Sequence, residues 1–303
     1  MENRFIFSGG GLRMKGISRR WPTYKYRLGK VIGGLLVTVI LASCGINEAR
    51  TPEQWFDFTW SGLAGCDTLT FRGLAALQRG NGQGLEESFS YTGRLQEHKE
   101  LSIRGEPVSQ RGGHLAGHLQ TAGLAQPNGW EAKLRLEHGN WQVQSDDHNA
   151  LLQGVVRLNP LEQLEEIRMA AKKKITSESG AARGTKVLRI EMDPAEATIR
   201  LKDRLLSEME LMREAGLAKL EQVSASQQEQ LRDELSQIWT TGSKQLSVML
   251  EQMKATVVYH LTIDRKSGLP SRLTSETTLN YLSPKGVPQR EVLRTDNRFG
   301  GYQ

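Results

Sequence analysis

Residues 259–270 read YHLTIDRKSGLP: a strand, a tight turn and the opening of a second strand. Within the turn at 264–268 (DRKSG), Asp264 offers a side-chain acceptor and Gly268 the positive φ that such a turn needs. Working outward, this hairpin belongs to a three-stranded meander. Its strands are expected at 255–263, 270–281 and 290–297, with the second turn at Pro284-Lys285-Gly286.

The same two-residue period runs through the earlier chain. Strands are expected at 68–78, 87–95 and 100–104, separated by turn material at 80–84 (GNGQG) and 97–99 (EHK). Residues 112–123 are glycine-rich but alternate around Leu115 and Leu119, which reads as a weak or edge strand. Residues 130–137 and 140–144 form a hairpin across 138–140, and 175–179 pairs with 186–192 over the turn 180–184 (GAARG).

Helices are set between these hairpins. Thr51-Pro52-Glu53 is a helix start: a hydroxyl N-cap, proline in the first turn and a carboxylate at the positive end of the dipole. That helix carries Trp55, Phe56, Phe58 and Trp60 and should end around 62–65. Docking on the core is its expected role, with a ligand- or membrane-facing aromatic patch as the alternative. Asn159-Pro160 opens a second helix by the same logic, with Lys172-Lys173-Lys174 complementing its C-terminal dipole. Asp193-Pro194 starts a third, to about 215, and Ser226 caps a fourth, to about 253. The fold class is therefore α+β: an antiparallel sheet with its helices together on one face.

The N-terminal stretch decides where the protein resides. Residues 31–43 are uncharged and apolar, too short for a comfortable membrane span of ~20 residues but within the ~7–15 of a signal sequence. Arg19, Arg20, Lys25, Arg27 and Lys30 precede them as the positive flank. Leu41-Ala42-Ser43-Cys44 matches the lipobox of bacterial lipoproteins, with small residues that fit a narrow protease cleft. That resemblance implies diacylglyceryl transfer to Cys44 and cleavage before it, with Leu41, Ala42 and Ser43 as the peptidase recognition residues. The expected organisation is a signal peptide at 1–43, a lipidated tether at 44–51 and one α+β domain at 52–303. The flank is long, and Gly9-Gly10-Gly11 upstream of Met14 resembles a translated ribosome-binding site, so Met14 is the expected start.

Composition narrows the partners. The formal charge is +6 and the pI about 9.3, which by itself suggests nucleic acid. Residues 1–43 hold eight of the 40 basic residues and one of the 34 acidic ones, leaving 32 against 33 in the mature chain. The basicity belongs to the part that is cut away, and no nucleic-acid partner is expected. With Cys44 lipidated, Cys66 has no partner within the chain and reads as a small buried residue.

Catalytic patterns are missing. His114 and His118 are spaced as helical metal ligands, but the surrounding glycines disfavour a helix, and on a strand they would lie ~13 Å apart. Residues 180–186 (GAARGTK) imitate a phosphate loop with glycine spacing short by one, and Asp146-Asp147-His148 reads as a solvated turn. Neither an enzyme, a cofactor nor a metal is expected. Apart from Met1 and Met14, all six methionines lie between residues 169 and 253. Methionine accommodates acyl chains of varied shape, so Met209, Met212, Met249 and Met253, with Trp239, are the ligand-cavity candidates.

The element order, and above all Tyr259–Pro270, resembles the LolA-like lipoprotein-carrier superfamily, which includes the mycobacterial lipid-carrier lipoproteins. The resemblance implies a curved antiparallel sheet, an incomplete barrel, closed over by helices around an apolar cavity. The expected function is a lipoprotein anchored at the extracytoplasmic face of the cell membrane, binding a lipid or other apolar ligand. The alternative is a non-enzymatic interaction module of the same fold, contacting an envelope protein and binding no ligand.

Overall fold

Thr51 and Gln54 begin the described fold with reciprocal bonds. Gln54 N–H donates to Thr51 Oγ1 at 3.2 Å, and Thr51 N–H donates to Gln54 Oε1 at 2.9 Å. They cap α1 (Pro52–Ala64), which ends at Gly65. In this computed structural model residues 50–80, 86–105, 130–138, 140–144, 156–221 and 223–303 are described. The lipobox at 41–44, the weak strand at 112–123, His114, His118 and residues 146–148 lie outside them.

Three strands follow α1: β1 (Leu69–Arg79), β2 (Glu86–Gln96) and β3 (Glu100–Gly105). Next come β4 (Trp130–Glu137) and β5 (Asn140–Val143). A single 3-10 turn (Val156–Leu158) leads into α2 (Pro160–Met169), then β6 (Lys173–Ser177) and β7 (Thr185–Met192). Two long helices, α3 (Pro194–Leu220) and α4 (Ala225–Glu251), precede β8 (Lys254–Asp264), β9 (Pro270–Leu282) and β10 (Pro288–Gly300). All ten strands form one antiparallel sheet in the order β5-β4-β3-β2-β1-β10-β9-β8-β7-β6. It is open rather than closed, with β5 and β6 at its edges, and the described residues place four α-helices with it.

Burial follows the pleat. Leu69, Phe71 and Ala75 of β1 point inward while Thr70, Arg72 and Leu74 are exposed. Inward residues from both halves of the sheet, among them Tyr91, Ile103, Leu188, Leu261 and Leu273, join Trp55, Phe56, Leu164 and Ile167 of α1 and α2 in one core. Phe58 and Trp60 pack against it as well, so the aromatic helix docks. Gly268, at φ +76°, completes the turn after β8, and a Cβ there would stand 2.2 Å from the Phe58 ring. Asp264 Oδ1 accepts from Lys266 N–H, Ser267 N–H and Ser267 Oγ at 2.8–3.1 Å, as the turn chemistry requires.

Four expectations need correction. The lysine triplet is not part of α2, because Ala170 ends it in an extended conformation and Lys173 already opens β6. Lys173 still serves the helix end, donating its Nζ to Ala170 O at 2.8 Å. α3 runs through Gly216 to Leu220 instead of stopping near 215, and Leu235 of α4 packs on Gly216. The N-cap residue of α4 is Ser224, not Ser226, and its Oγ bonds Gln227 Oε1 rather than helix backbone. Met253 lies beyond the end of α4, next to the first residue of β8.

Candidate functional site

The strand register divides the inner face of the sheet into rows. The first is buried: Leu188, Leu261, Leu273, Asn297, Gly73 and Tyr91. The next contains Ile190, Tyr259, Ser275, Thr295, Ala75 and Phe89. Beyond it stand Val257, Thr277, Leu293 and Leu77, and then Leu279. This outer pair of rows is only half-buried at Val257, Thr277, Leu279, Leu293 and Leu77.

A polar belt marks the boundary. Tyr91 donates its hydroxyl to Asn297 Oδ1 at 2.8 Å, and Ser275 Oγ and Thr295 Oγ1 lie 2.7 Å apart. Gln163 of α2 reaches down, its Nε2 donating to Arg157 O at 3.0 Å and lying 3.5 Å from Thr295 Oγ1. Among the described residues, Asn297 Nδ2 and Gln163 Oε1 are buried without a hydrogen-bond partner. An unmade bond in such a place costs about 1–3 kcal/mol, so the belt has spare capacity for a water or a small polar group.

α3 and α4 form an antiparallel pair beside these rows. Ala255 N–H donates to Thr198 Oγ1 at 2.9 Å, tying the first turns of α3 to β8. Gly216 faces Leu235 and Gly242 faces Met209 across the pair. Farther along α3, Glu208 accepts from Arg157 Nε at 2.9 Å, which brings the helix level with α2 and the belt. α3 also packs on β8, and α4 on β9.

Charge ties α3 to α2. Arg204 of α3 bonds Glu162 of α2 at 3.1 Å and also pairs with Glu166, whose Oε2 accepts from Tyr259 OH at 3.3 Å. Burial works against the charge on Arg204, and the Glu166 and Glu162 carboxylates hold it charged. Burial likewise pushes the Glu162 carboxyl above its ordinary range, with Arg204 opposing. The Tyr259 hydroxyl is pushed well up by burial and by neighbouring Glu166.

Apolar burial along the pair is sparse. Ala197 and Leu220 are buried on α3 and Leu250 on α4, whereas Ile199, Leu206, Leu211, Leu231 and Ile238 are exposed. The five candidate residues separate. Met253 is buried at 5% exposure, outside the main core. Met209, Trp239 and Met249 are half-buried, and Met212 is 38% exposed. Met209 turns to Gly242, its Cε 3.4 Å from where a Cβ would be, so it serves the helix–helix contact.

The belt is the part that sequence patterning does not announce. Ser275, Thr295 and Asn297 sit on inward positions of β9 and β10, where polar residues pass for the solvent side of the alternation. The available signal is that they share parity with buried Leu273 and half-buried Leu293 on their own strands.

No protein-family model matches the chain, and no curated protein sequence does. Solved structures resemble it distantly. Lipovitellin, studied for its lipid–protein interactions, aligns over 78% of this chain at 10% identity with a TM-score of 0.37. The chain spans only 25% of the lipovitellin chain. A LolA superfamily protein from Nitrosomonas europaea aligns over 84% of this chain and 94% of its own, at 8% identity and a TM-score of 0.24. DynF, from the dynemicin biosynthesis pathway of Micromonospora chersina, aligns over 78% and 81% at 10% identity and a TM-score of 0.23.

Proposed function

We propose that this chain is a lipid-anchored protein of the bacterial cell envelope that holds an acyl chain between the outer inner-face rows and the α3–α4 pair. One observation carries the ligand: beyond the polar belt, Val257, Leu293, Leu77 and Leu279 are apolar, share strand parity with the buried inner residues and are only half covered. The neighbouring helices leave Trp239 and Met249 in the same half-buried condition. Each methylene buried there gains about 0.8 kcal/mol, so an alkyl chain suits the place better than a polar solute. The anchor is the Cys44 thiol, lipidated after Leu41-Ala42-Ser43 is recognised. Binding is passive, and the α3–α4 pair moves to admit the chain. No bond is made or broken.

Mass spectrometry of an organic extract from the folded, mature protein tests the ligand. Stoichiometric lipid supports the carrier reading. Its absence, together with a stable envelope-protein partner, favours the interaction module. Metabolic labelling with palmitate tests the anchor, and an unlabelled protein of unchanged size in globomycin-treated cells overturns it.

A further inference from the structure

The outer face of the sheet carries a row of arginines that no single strand reveals. Arg104 on β3 stands opposite Thr92 on β2, Thr92 opposite Arg72 on β1, Arg72 opposite Arg298 on β10, and Arg298 opposite Arg272 on β9. Arg94 and Lys133, paired through Ser102, add two more cations in the next row. All six are exposed. Two carboxylates answer them: Glu131 bonds Arg104 at 2.8 Å and Asp296 bonds Arg272 at 2.6 Å. Among the described residues, Arg72, Arg94 and Lys133 have no carboxylate partner, and Arg298 has only the field of Asp296.

Arg72 directly opposite Arg298 is the telling pair, because like charges across adjacent strands destabilise a sheet. An anionic surface resting on the row removes that repulsion. Beside Arg72, on the same face, Leu74 is 49% exposed, a large apolar residue at the rim of a cationic patch. Cations around an exposed aliphatic side chain suit an interfacial layer of phosphates over hydrocarbon. The row also lies at the strand ends where β8 turns into β9. That turn is the one on which Phe58 of α1 packs, and Arg50 at the start of the described chain stacks on the Phe58 ring, 3.9 Å from its centroid. Cys44 is six residues before Arg50, ~20 Å of extended chain at most.

We propose that the outer face around Arg72, Arg94 and Arg298 docks on the anionic phospholipid headgroups of a membrane, with Leu74 entering the interface. This surface is distinct from the acyl-chain site. It rests on the proposed anchor only for the nearness of a bilayer.

Arginine footprinting with phenylglyoxal, read by peptide mass spectrometry on the full chain, tests the proposal. One set of vesicles is pure phosphatidylcholine and the other contains about one-third phosphatidylglycerol. Arg72 and Arg298 should react several-fold more slowly on the anionic vesicles and recover in about 0.5 M salt. Arg232, exposed on α4, should react alike on both. The double variant Arg72→Gln/Arg298→Gln should melt no lower than the parent, and its partition onto anionic vesicles should fall ~25-fold, about 5-fold per arginine. Equal reactivity on the two vesicle types overturns the proposal, as does a double variant that partitions like the parent. Failure of the anchor is a separate result: the chain then does not float with pure phosphatidylcholine vesicles, while the anionic set still reads the face.

Discussion

Tyr91 reaches over Gly73 to Asn297. Its hydroxyl donates to Asn297 Oδ1 at 2.8 Å, and its ring occupies the space above β1 where a Cβ at Gly73 would stand 2.1 Å from Cζ. The glycine therefore makes the hydrogen bond possible. Gly73→Ala should cost about 2–4 kcal/mol through overpacking and loss of that bond. Tyr91→Phe should cost about 1–2 kcal/mol by leaving the Asn297 amide without its donor. Urea midpoints at constant slope measure both, and a Gly73→Ala midpoint equal to the parent's would contradict this packing.

Alkaline pH should weaken the fold before it affects most surface charges. Burial pushes the Tyr91 and Tyr259 hydroxyls up, and burial with Glu291 pushes Tyr281 up to about 12. Unfolded tyrosine releases its proton near pH 10, so above that pH the unfolded chain holds fewer protons than the folded one. Stability is then fully present below about pH 10 and falls as pH climbs toward the folded values. Denaturation curves at pH 9 and pH 11 should separate, and Tyr91→Phe should reduce the separation.

Removing Arg204 should loosen α3 from α2. Arg204→Met leaves Glu162 and Glu166 facing each other without a cation, at about 1–3 kcal/mol given their partial exposure. The Glu162 carboxyl is already raised by burial and would rise further. A raised carboxyl takes up its proton in the folded state first, so the deficit of the variant should shrink between pH 7 and pH 5. Hydrogen exchange across α3 should accelerate at pH 7, and an exchange profile matching the parent would rule out this role for Arg204.

Filling the half-covered rows should expel the proposed acyl chain. Thr277→Phe places a ring among Val257, Leu293 and Leu279 and should lower the lipid recovered per mole of folded protein without lowering the melting temperature. Leu293→Asn should lower lipid recovery too, at a stability cost of about 1–3 kcal/mol. Unchanged lipid in both variants would place the acyl chain elsewhere. Replacing Met209, Met212, Met249 and Met253 with leucine separates plasticity from plain apolar burial: recovery is unaltered if the methionines only pack.

Local chemistry was legible wherever a few adjacent residues decide the outcome. Thr51-Pro52, Asn159-Pro160 and Asp193-Pro194 each open a helix, because cap and proline act within one turn. Gly180 and Gly184, at φ +82° and +84°, and Gly268 each turn the chain where their neighbours predicted. Misreadings came where a distant partner decides. The lysine triplet looks helical until Lys173 pairs with Met192. The polar belt and the arginine row depend on register between β1, β9 and β10, and spacing along one strand cannot supply that.

β1 and β10 are hydrogen-bonded neighbours in the middle of the sheet, and Thr70 Oγ1 donates to Gly300 O across 230 residues of chain. Within each half every strand pairs with its neighbour in sequence, β7 and β8 across the α3–α4 insertion. The seam between the halves must wait until β10 is synthesised. Until then Phe71 and Ala75 lack one flanking strand, and the edge of β1 that β10 will pair with stays open.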